Sequence, residues 1–263
     1  MNVPILLIVI FTIAVLMTMT GRGGGNFYVL VLVAAGHSIH QAATTGQFIL
    51  MLTALAGMLI FHKHKLVDWK LALMLDPPTD IMAFVGGYFS DYASGISLKF
   101  VLAGLLVVAG FLMLLKVKDK PIRAQKRLGY WHRKYGDQDY TVNLWLAVPI
   151  TAAVGLVAGA VGISGGSFKV PLMVLLCGVP MRIAVGTSSA MVAATALMGF
   201  VGHAAQGHFD GQGAILVACA AVLGGVLGGK MAMKTKPEKL KKIFAYTTLA
   251  AAIFMMFNAC LSR

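Results

Sequence analysis

The sequence predicts an all-α membrane protein built as an inverted-topology repeat, in which each half is a glycine-broken re-entrant helix hairpin plus three full transmembrane helices. Three observations carry that prediction. Apolar residues make up 59% of the chain and charged residues only 12%, against roughly one quarter charged in a soluble domain. Apolar runs of spanning length recur along the whole sequence. The two halves also align on each other, with opposite charge bias at matching positions.

The first element is the apolar run 4–19. No basic residue precedes it and no convincing small-residue cleavage site follows, so it is expected to be a retained membrane segment and not a signal peptide. Next comes Gly21-Arg22-Gly23-Gly24-Gly25-Asn26-Phe27. It matches Gly162-Ile163-Ser164-Gly165-Gly166-Ser167-Phe168 at an offset of 141. Cys177 adds one residue, and at an offset of 142 Gly36 meets Gly178, Thr45 meets Thr187, Gly57 meets Gly199 and Asp68 meets Asp210. Farther on, Gly86-Gly87 meets Gly228-Gly229, and Leu98-Lys99 meets Leu240-Lys241. The organisation expected is a first inverted repeat over 1–115, a basic cytoplasmic linker over 116–143 and a second inverted repeat over 144–263.

The net charge of +13 is concentrated: of 22 Lys and Arg, 3 lie in 62–70, 8 in 116–143 and 6 in 230–242. Basic loops of this kind face the cytoplasm. The repeat partners of two of them, 204–212 and about 88–98, lack such clusters and are expected outside. Opposite bias at matching positions is the mark of an inverted repeat. The partners of the basic loops are lipid headgroups, and nucleic acid is not expected. Expected full spans are 44–61, 71–90 and 98–115, then 184–203, 212–230 and 243–260. Three crossings per half is an odd number, as inversion demands. Segments 3–36 and 144–178 must then enter and leave on one side as hairpins. The arm 167–178 would be about 18 Å long at 1.5 Å per residue, half a bilayer.

Irregular backbone survives inside a membrane only when protein or a water-filled cavity surrounds it. A half-helix restarting after each glycine break presents unpaired N–H groups and a positive dipole end. Such ends suit an anion. The candidate substrate-binding residues are Arg22, Gly23, Gly24, Gly25 and Asn26 at the first break, Ser164, Gly165, Gly166, Ser167 and Lys169 at the second, and Thr45, Thr187 and Ser188 at the starts of the following spans. A cation at membrane depth costs roughly 2.5–3.5 kcal/mol on insertion scales and therefore faces a pathway or a partner. The competing structural readings are that Arg22 bonds loose carbonyls, that Lys169 reaches the water interface, and that Ser164, Ser167 and the Thr and Ser pairs cap helices. Thr44 shares the position of Thr45 in this respect.

These residues resemble a known family. Gly162-Ile163-Ser164-Gly165-Gly166-Ser167-Phe168-Lys169-Val170-Pro171-Leu172, then Gly178-Val179-Pro180, Ala184-Val185-Gly186-Thr187-Ser188 and Gly202-His203 are similar to the TauE/SafE sulfite exporters. Val67-Asp68-Trp69 in the first half looks like the same pattern. The resemblance covers nearly the whole chain outside 116–143. It implies a secondary transporter of a sulfur-containing anion, sulfite or a small organosulfonate, in the cytoplasmic membrane. It carries the glycine, Ser and Thr-Ser positions over as substrate contacts. The first half departs from the motif, with Val29-Leu30 against Val170-Pro171 and His37-Ser38 against Val179-Pro180.

Asp76-Pro77-Pro78-Thr79-Asp80 interrupts the second span. Asp76 reads as an N-cap for a restarting helix. Asp80, one turn deeper, could carry a coupling proton or pair with a cation such as Arg22. Asp76 and His203 are the other proton-coupling candidates, the latter against the plainer reading of a hydrogen-bonded histidine. Cys177, Cys219 and Cys260 sit in apolar surroundings and are expected to be buried small side chains. No metal or cofactor motif is present, and no enzyme is expected. The alternatives are a transporter or channel for another small anion or a neutral solute, and an intramembrane serine protease using Ser164 and His203.

Overall fold

The computed structural model describes residues 2–88, 95–114, 128–161, 166–204, 209 and 211–261. Among them run α1 (Val3–Met19), α2 (Gly25–Ala34), α3 (Ile39–Lys63), α4 (Trp69–Tyr88) and α5 (Gly95–Leu114). A hairpin follows, β1 (Tyr130–Tyr135) and β2 (Gln138–Asn143), then α6 (Leu144–Val161), α7 (Gly166–Leu175), α8 (Met181–Ala204), α9 (Gly211–Lys234) and α10 (Pro237–Leu261). Three helical stretches, Gln41–Lys63, Met181–Val201 and Gly213–Lys234, are long and apolar enough to cross a membrane. Leu59, Leu73, Phe84, Met198, Leu223 and Ile253 each turn more than 60% of their surface outward. Large apolar side chains spread over helix exteriors need a lipid solvent. The protein is a helical membrane protein.

The chain divides into two units, Met1–Val67 with Val185–Lys236, and Asp68–Ala184 with Pro237–Arg263. In unit 1, α9 packs along both α1 and α3, and α2 packs on α3. Glycine spacing makes this possible. A Cβ on Gly224 or Gly228 would stand 2.6 or 2.4 Å from the backbone oxygens of Phe11 and Val15 on α1. A Cβ on Gly225 would stand 2.8 Å from the Thr53 oxygen on α3. Two interleaved small-xxx-small rows therefore let two helices approach α9 at backbone distance, as membrane helices do where no hydrophobic effect drives them together. The core joins Ile10, Ala14, Tyr28, Leu32, Ile49 and Leu50 with Val192, Ala196 and Ala221. Helix α3 starts on a capping box, with the Ser38 hydroxyl accepting from the Gln41 N–H and the Gln41 side chain accepting from the Ser38 N–H, each satisfying an orphan donor.

In unit 2, α4 packs along α6, and α5 along α10. The α4–α6 contact is again made at a glycine, since a Cβ on Gly155 would meet the Thr79 carbonyl oxygen at 2.2 Å. Helix α4 continues through Pro77 and Pro78. This corrects the reading of Asp76 as the cap of a restarting helix. The two prolines withdraw their N–H groups and crowd the carbonyls one turn back, yet the helix runs on, and the Thr79 hydroxyl donates to the Leu75 carbonyl at 2.9 Å.

Part of the segment expected as a solvated basic linker is ordered. Strands β1 and β2 pair antiparallel around Gly136-Asp137, with Tyr135 opposite Gln138 and Gly136 at φ +58°, the left-handed conformation such a turn requires. The hairpin is fastened to Asp68, the residue that begins α4. Arg133 donates Nε to Asp68 Oδ2 at 2.8 Å and Nη2 to Oδ1 at 2.9 Å. The Tyr140 hydroxyl donates to Oδ2 at 2.5 Å. The same carboxylate accepts from the N–H groups of Lys70 and Leu71, which makes it the N-cap of α4. Burial alone would push the Asp68 carboxyl up, but the hydrogen bonds from Arg133, Tyr140 and Leu71 outweigh it and hold it below the usual aspartate range. The Arg133 guanidinium, bonded to that carboxylate, is raised. The Tyr140 phenol is raised too, first by burial and then by Asp68.

Two smaller expectations also change. Thr44-Thr45 and Thr187-Ser188 are not the N-caps of α3 and α8, which begin at Ile39 and Met181 and hold both pairs beyond their first turn. Cys177 is buried as expected, but Cys219 is exposed on α9, because the outward face of a lipid-embedded helix is itself apolar.

Candidate functional site

Unit 1 holds the first glycine break. Helix α1 ends at Thr20, where the Gly21 N–H donates to the Thr18 carbonyl and the Arg22 N–H to the Met17 carbonyl, both at 3.1 Å. This is a Schellman closure with Gly21 at φ +70°. The chain then turns through Gly23 and Gly24, both left-handed, and α2 begins at Gly25. Gly24 has no side chain to cap that helix; only its carbonyl takes part, accepting from the Phe27 and Tyr28 N–H groups at 3.0 and 3.2 Å. At ten residues α2 is about 15 Å long, half of a bilayer core.

The break is enclosed by protein. A Cβ on Gly21 would meet the Val185 carbonyl oxygen at 2.6 Å, and one on Gly23 would meet Leu50 Cδ1 at 2.3 Å. The Ser188 hydroxyl, on α8, donates to the Gly21 carbonyl at 2.7 Å. Thr45, Thr187 and Ser188 are all buried, and so is Arg22, which is only 4% exposed. The structure thus brings Arg22, Gly23, Gly24, Gly25, Thr45, Thr187 and Ser188 into one unit. It gives Ser188 a definite task, holding the irregular backbone. The side chains of Asn26 and His203 lie outside the described residues.

Unit 2 holds the segment expected to form the second break. Helices α6 and α7 flank it, and Gly166 and Ser167 open α7. Ser164 and Gly165 fall outside the described residues, so the protease reading built on Ser164 and His203 has no geometry here. Lys169, in the first turn of α7, is buried. Its ammonium does not reach for the interface; it donates to Asp76 Oδ1 at 2.5 Å, with the two side chains 4% and 13% exposed. Asp80 lies one turn farther along α4.

The sequence reading missed the Lys169–Asp76 pair. The residues are 93 positions apart, on helices that do not pack along each other, although α4 and α7 each pack on α6. The only available signal was composition: an aspartate and a lysine each alone in apolar sequence must find a partner at membrane depth.

Comparison with known proteins places the chain in a family. The family model described as "Sulfite exporter TauE/SafE" matches residues 6–255. A Bacillus subtilis protein named "Probable membrane transporter protein YunE" is 26% identical over 93% of this chain and 94% of its own length. A second from the same organism, "Probable membrane transporter protein YdhB", is 23% identical over 96% of this chain and 100% of its own. A Xylella fastidiosa "Probable membrane transporter protein" is 31% identical over 39% of this chain and 41% of its own. No solved structure matches. The family match takes in both glycine clusters, all of α2 to α9 and most of α1 and α10, and the chain belongs to the TauE/SafE sulfite exporter family of membrane transporters.

Proposed function

We propose that the protein is a secondary transporter that moves a sulfur-containing anion, sulfite or a small organosulfonate, across the cytoplasmic membrane as a multi-pass protein. The anion is held near the midplane by half-helix N-termini and the basic and hydroxyl side chains beside them. One observation carries this reading: in each unit a buried cation accompanies the start of a ten-residue half-helix, Arg22 before α2 and Lys169 in the first turn of α7. A positive helix end and a desolvated cation both favour an anion, and neither favours a neutral solute.

The inverted-repeat reading has support from element boundaries. Helices α1 and α2 start 141 residues before α6 and α7, and α3, α4 and α5 start 142 residues before α8, α9 and α10. In each unit, moreover, the first arm of a hairpin packs on the second span of the other half, α1 on α9 and α6 on α4. Asp80, Asp76 and His203 are the candidates for carrying a coupled proton; transport by Asp80→Asn with unchanged pH dependence would remove Asp80.

The experiment for the anion site is a thermal-shift screen of the purified protein against sulfite, thiosulfate, sulfate, taurine and small sulfonates, with neutral solutes as controls. A ligand that binds only the folded state raises the transition by mass action. Stabilisation by sulfur anions alone is expected. Stabilisation by none of them would remove the anion site.

A further inference from the structure

Lys169 stands where helix electrostatics disfavours a cation. The N-terminal end of a helix carries about half a positive charge, and Lys169 adds a full one in the first turn of α7, out of contact with water. Asp76 answers both charges. Its carboxylate lies 2.5 Å from Lys169 Nζ, a negative group at the very place where an anion would gain the same contacts. While that carboxylate is ionised, lysine and aspartate sum to zero and an incoming anion finds no net attraction.

We propose that Asp76 is the resident counter-ion of Lys169, and that the transported anion takes its place as the carboxylate accepts one proton. This rests on the anion-transport reading and supplies its coupling step. A monoanion and a proton enter together, Lys169 exchanges one negative partner for another, and the site stays neutral throughout. Neutrality matters because an unpaired charge at membrane depth is costly. The other charged residues on the helices packed here are Lys99 on α5, which packs on α7, and Lys70 and Asp80 on α4. Helix α6, packed along α4, has no titratable side chain, and Lys169 is the sole one on α7. On α4 itself, Asp80 lies four residues on from Asp76. Like charges at that spacing repel, and a proton taken up by Asp76 relieves the repulsion.

The test uses full-length purified protein with ethanesulfonate and sulfate, whose charge is constant between about pH 5 and 8. Binding of ethanesulfonate to the wild type in weak buffer should take up one proton per anion, read with a pH indicator. Its apparent affinity should fall about tenfold per pH unit wherever free Asp76 is ionised. Asp76→Asn should bind more tightly than the wild type at neutral pH, with no pH slope and no proton uptake, and Lys169→Gln should abolish binding. If ethanesulfonate binds the wild type without proton uptake, the counter-ion exchange is wrong while the anion site stands, and Asp76→Asn with the wild-type affinity and pH slope would say the same. If neither probe binds wild type or Asp76→Asn at any pH, both fall. The proton-uptake measurement needs only the wild type, so poor folding of a variant leaves the proposal open to refutation.

Discussion

Ser188 and Gly21, 167 residues apart, are joined in unit 1 by a 2.7 Å hydrogen bond from the serine hydroxyl to the glycine carbonyl. The break after α1 exposes backbone that no helix satisfies, and α8 supplies one of the missing partners. Ser188→Ala leaves that buried carbonyl short of a donor and should cost roughly 1–3 kcal/mol, read as a lowered thermal transition in detergent. Gly21→Ala should cost more, because φ +70° is strained for alanine and its Cβ would press on the Val185 backbone. Equal transitions for wild type and Ser188→Ala would mean that the bond contributes nothing.

Gly25 is close-packed for a different reason. Its Cβ would lie 2.7 Å from Leu50 Cδ2, so the obstacle is a movable side chain and not a backbone. Gly25→Ala should cost about 1–3 kcal/mol as overpacking. Leu50→Ala, which opens a cavity on its own, should recover part of that loss in the double variant. A double-mutant cycle with a coupling of about 0.5–3 kcal/mol is expected, whereas strict additivity would place the two residues out of contact.

Gly155 and Gly104 make a matched pair of opposite sign. At Gly155 a Cβ meets the Thr79 carbonyl at 2.2 Å, while at Gly104 nothing lies within 4 Å. Gly155→Ala should therefore loosen the α4–α6 contact and lower stability. Gly104→Ala should raise it by about 0.5–1 kcal/mol through helix propensity. Thermal unfolding of the two variants side by side checks this.

The hairpin latch has a pH window set by Asp68 and Tyr140. The folded carboxyl of Asp68 titrates below its ordinary value, so its contribution is present above about pH 4 and is lost as pH falls through the folded value. The Tyr140 phenol is raised, so its contribution is full below about pH 10 and is lost as pH rises through the folded value. Asp68→Asn keeps an N-cap oxygen but loses the charge, and should weaken docking by roughly 1.5–3 kcal/mol. Limited proteolysis within 128–143 reads this directly: Asp68→Asn should be cut faster than the wild type at neutral pH.

How much of this was legible follows from where the information sits. Helix positions and both breaks lie in local pattern, since apolar length, glycine clusters and the 141-to-142 offset are properties of adjacent residues. The start of α3 was legible as well, because Ser38-x-x-Gln41 is a capping box, yet the apolar run beginning near Thr44 drew the boundary inward. The hairpin and its latch were not legible. Arg133 and Tyr140 reach Asp68 across 65 and 72 residues, and no spacing rule links them. The Lys169–Asp76 pair failed for the same reason, and Pro77-Pro78 misdirected it by suggesting a helix start where α4 runs on.

The central claim, that the chain carries a sulfur-containing anion, is tested most directly by flux into proteoliposomes containing the purified protein, with labelled sulfite and a labelled small sulfonate offered beside a neutral solute of similar size. Saturable, protein-dependent movement of at least one sulfur anion is expected, abolished by Lys169→Gln, with no movement of the neutral solute. Sulfur-anion flux no faster than in protein-free liposomes, or equal flux of the neutral solute, would contradict it.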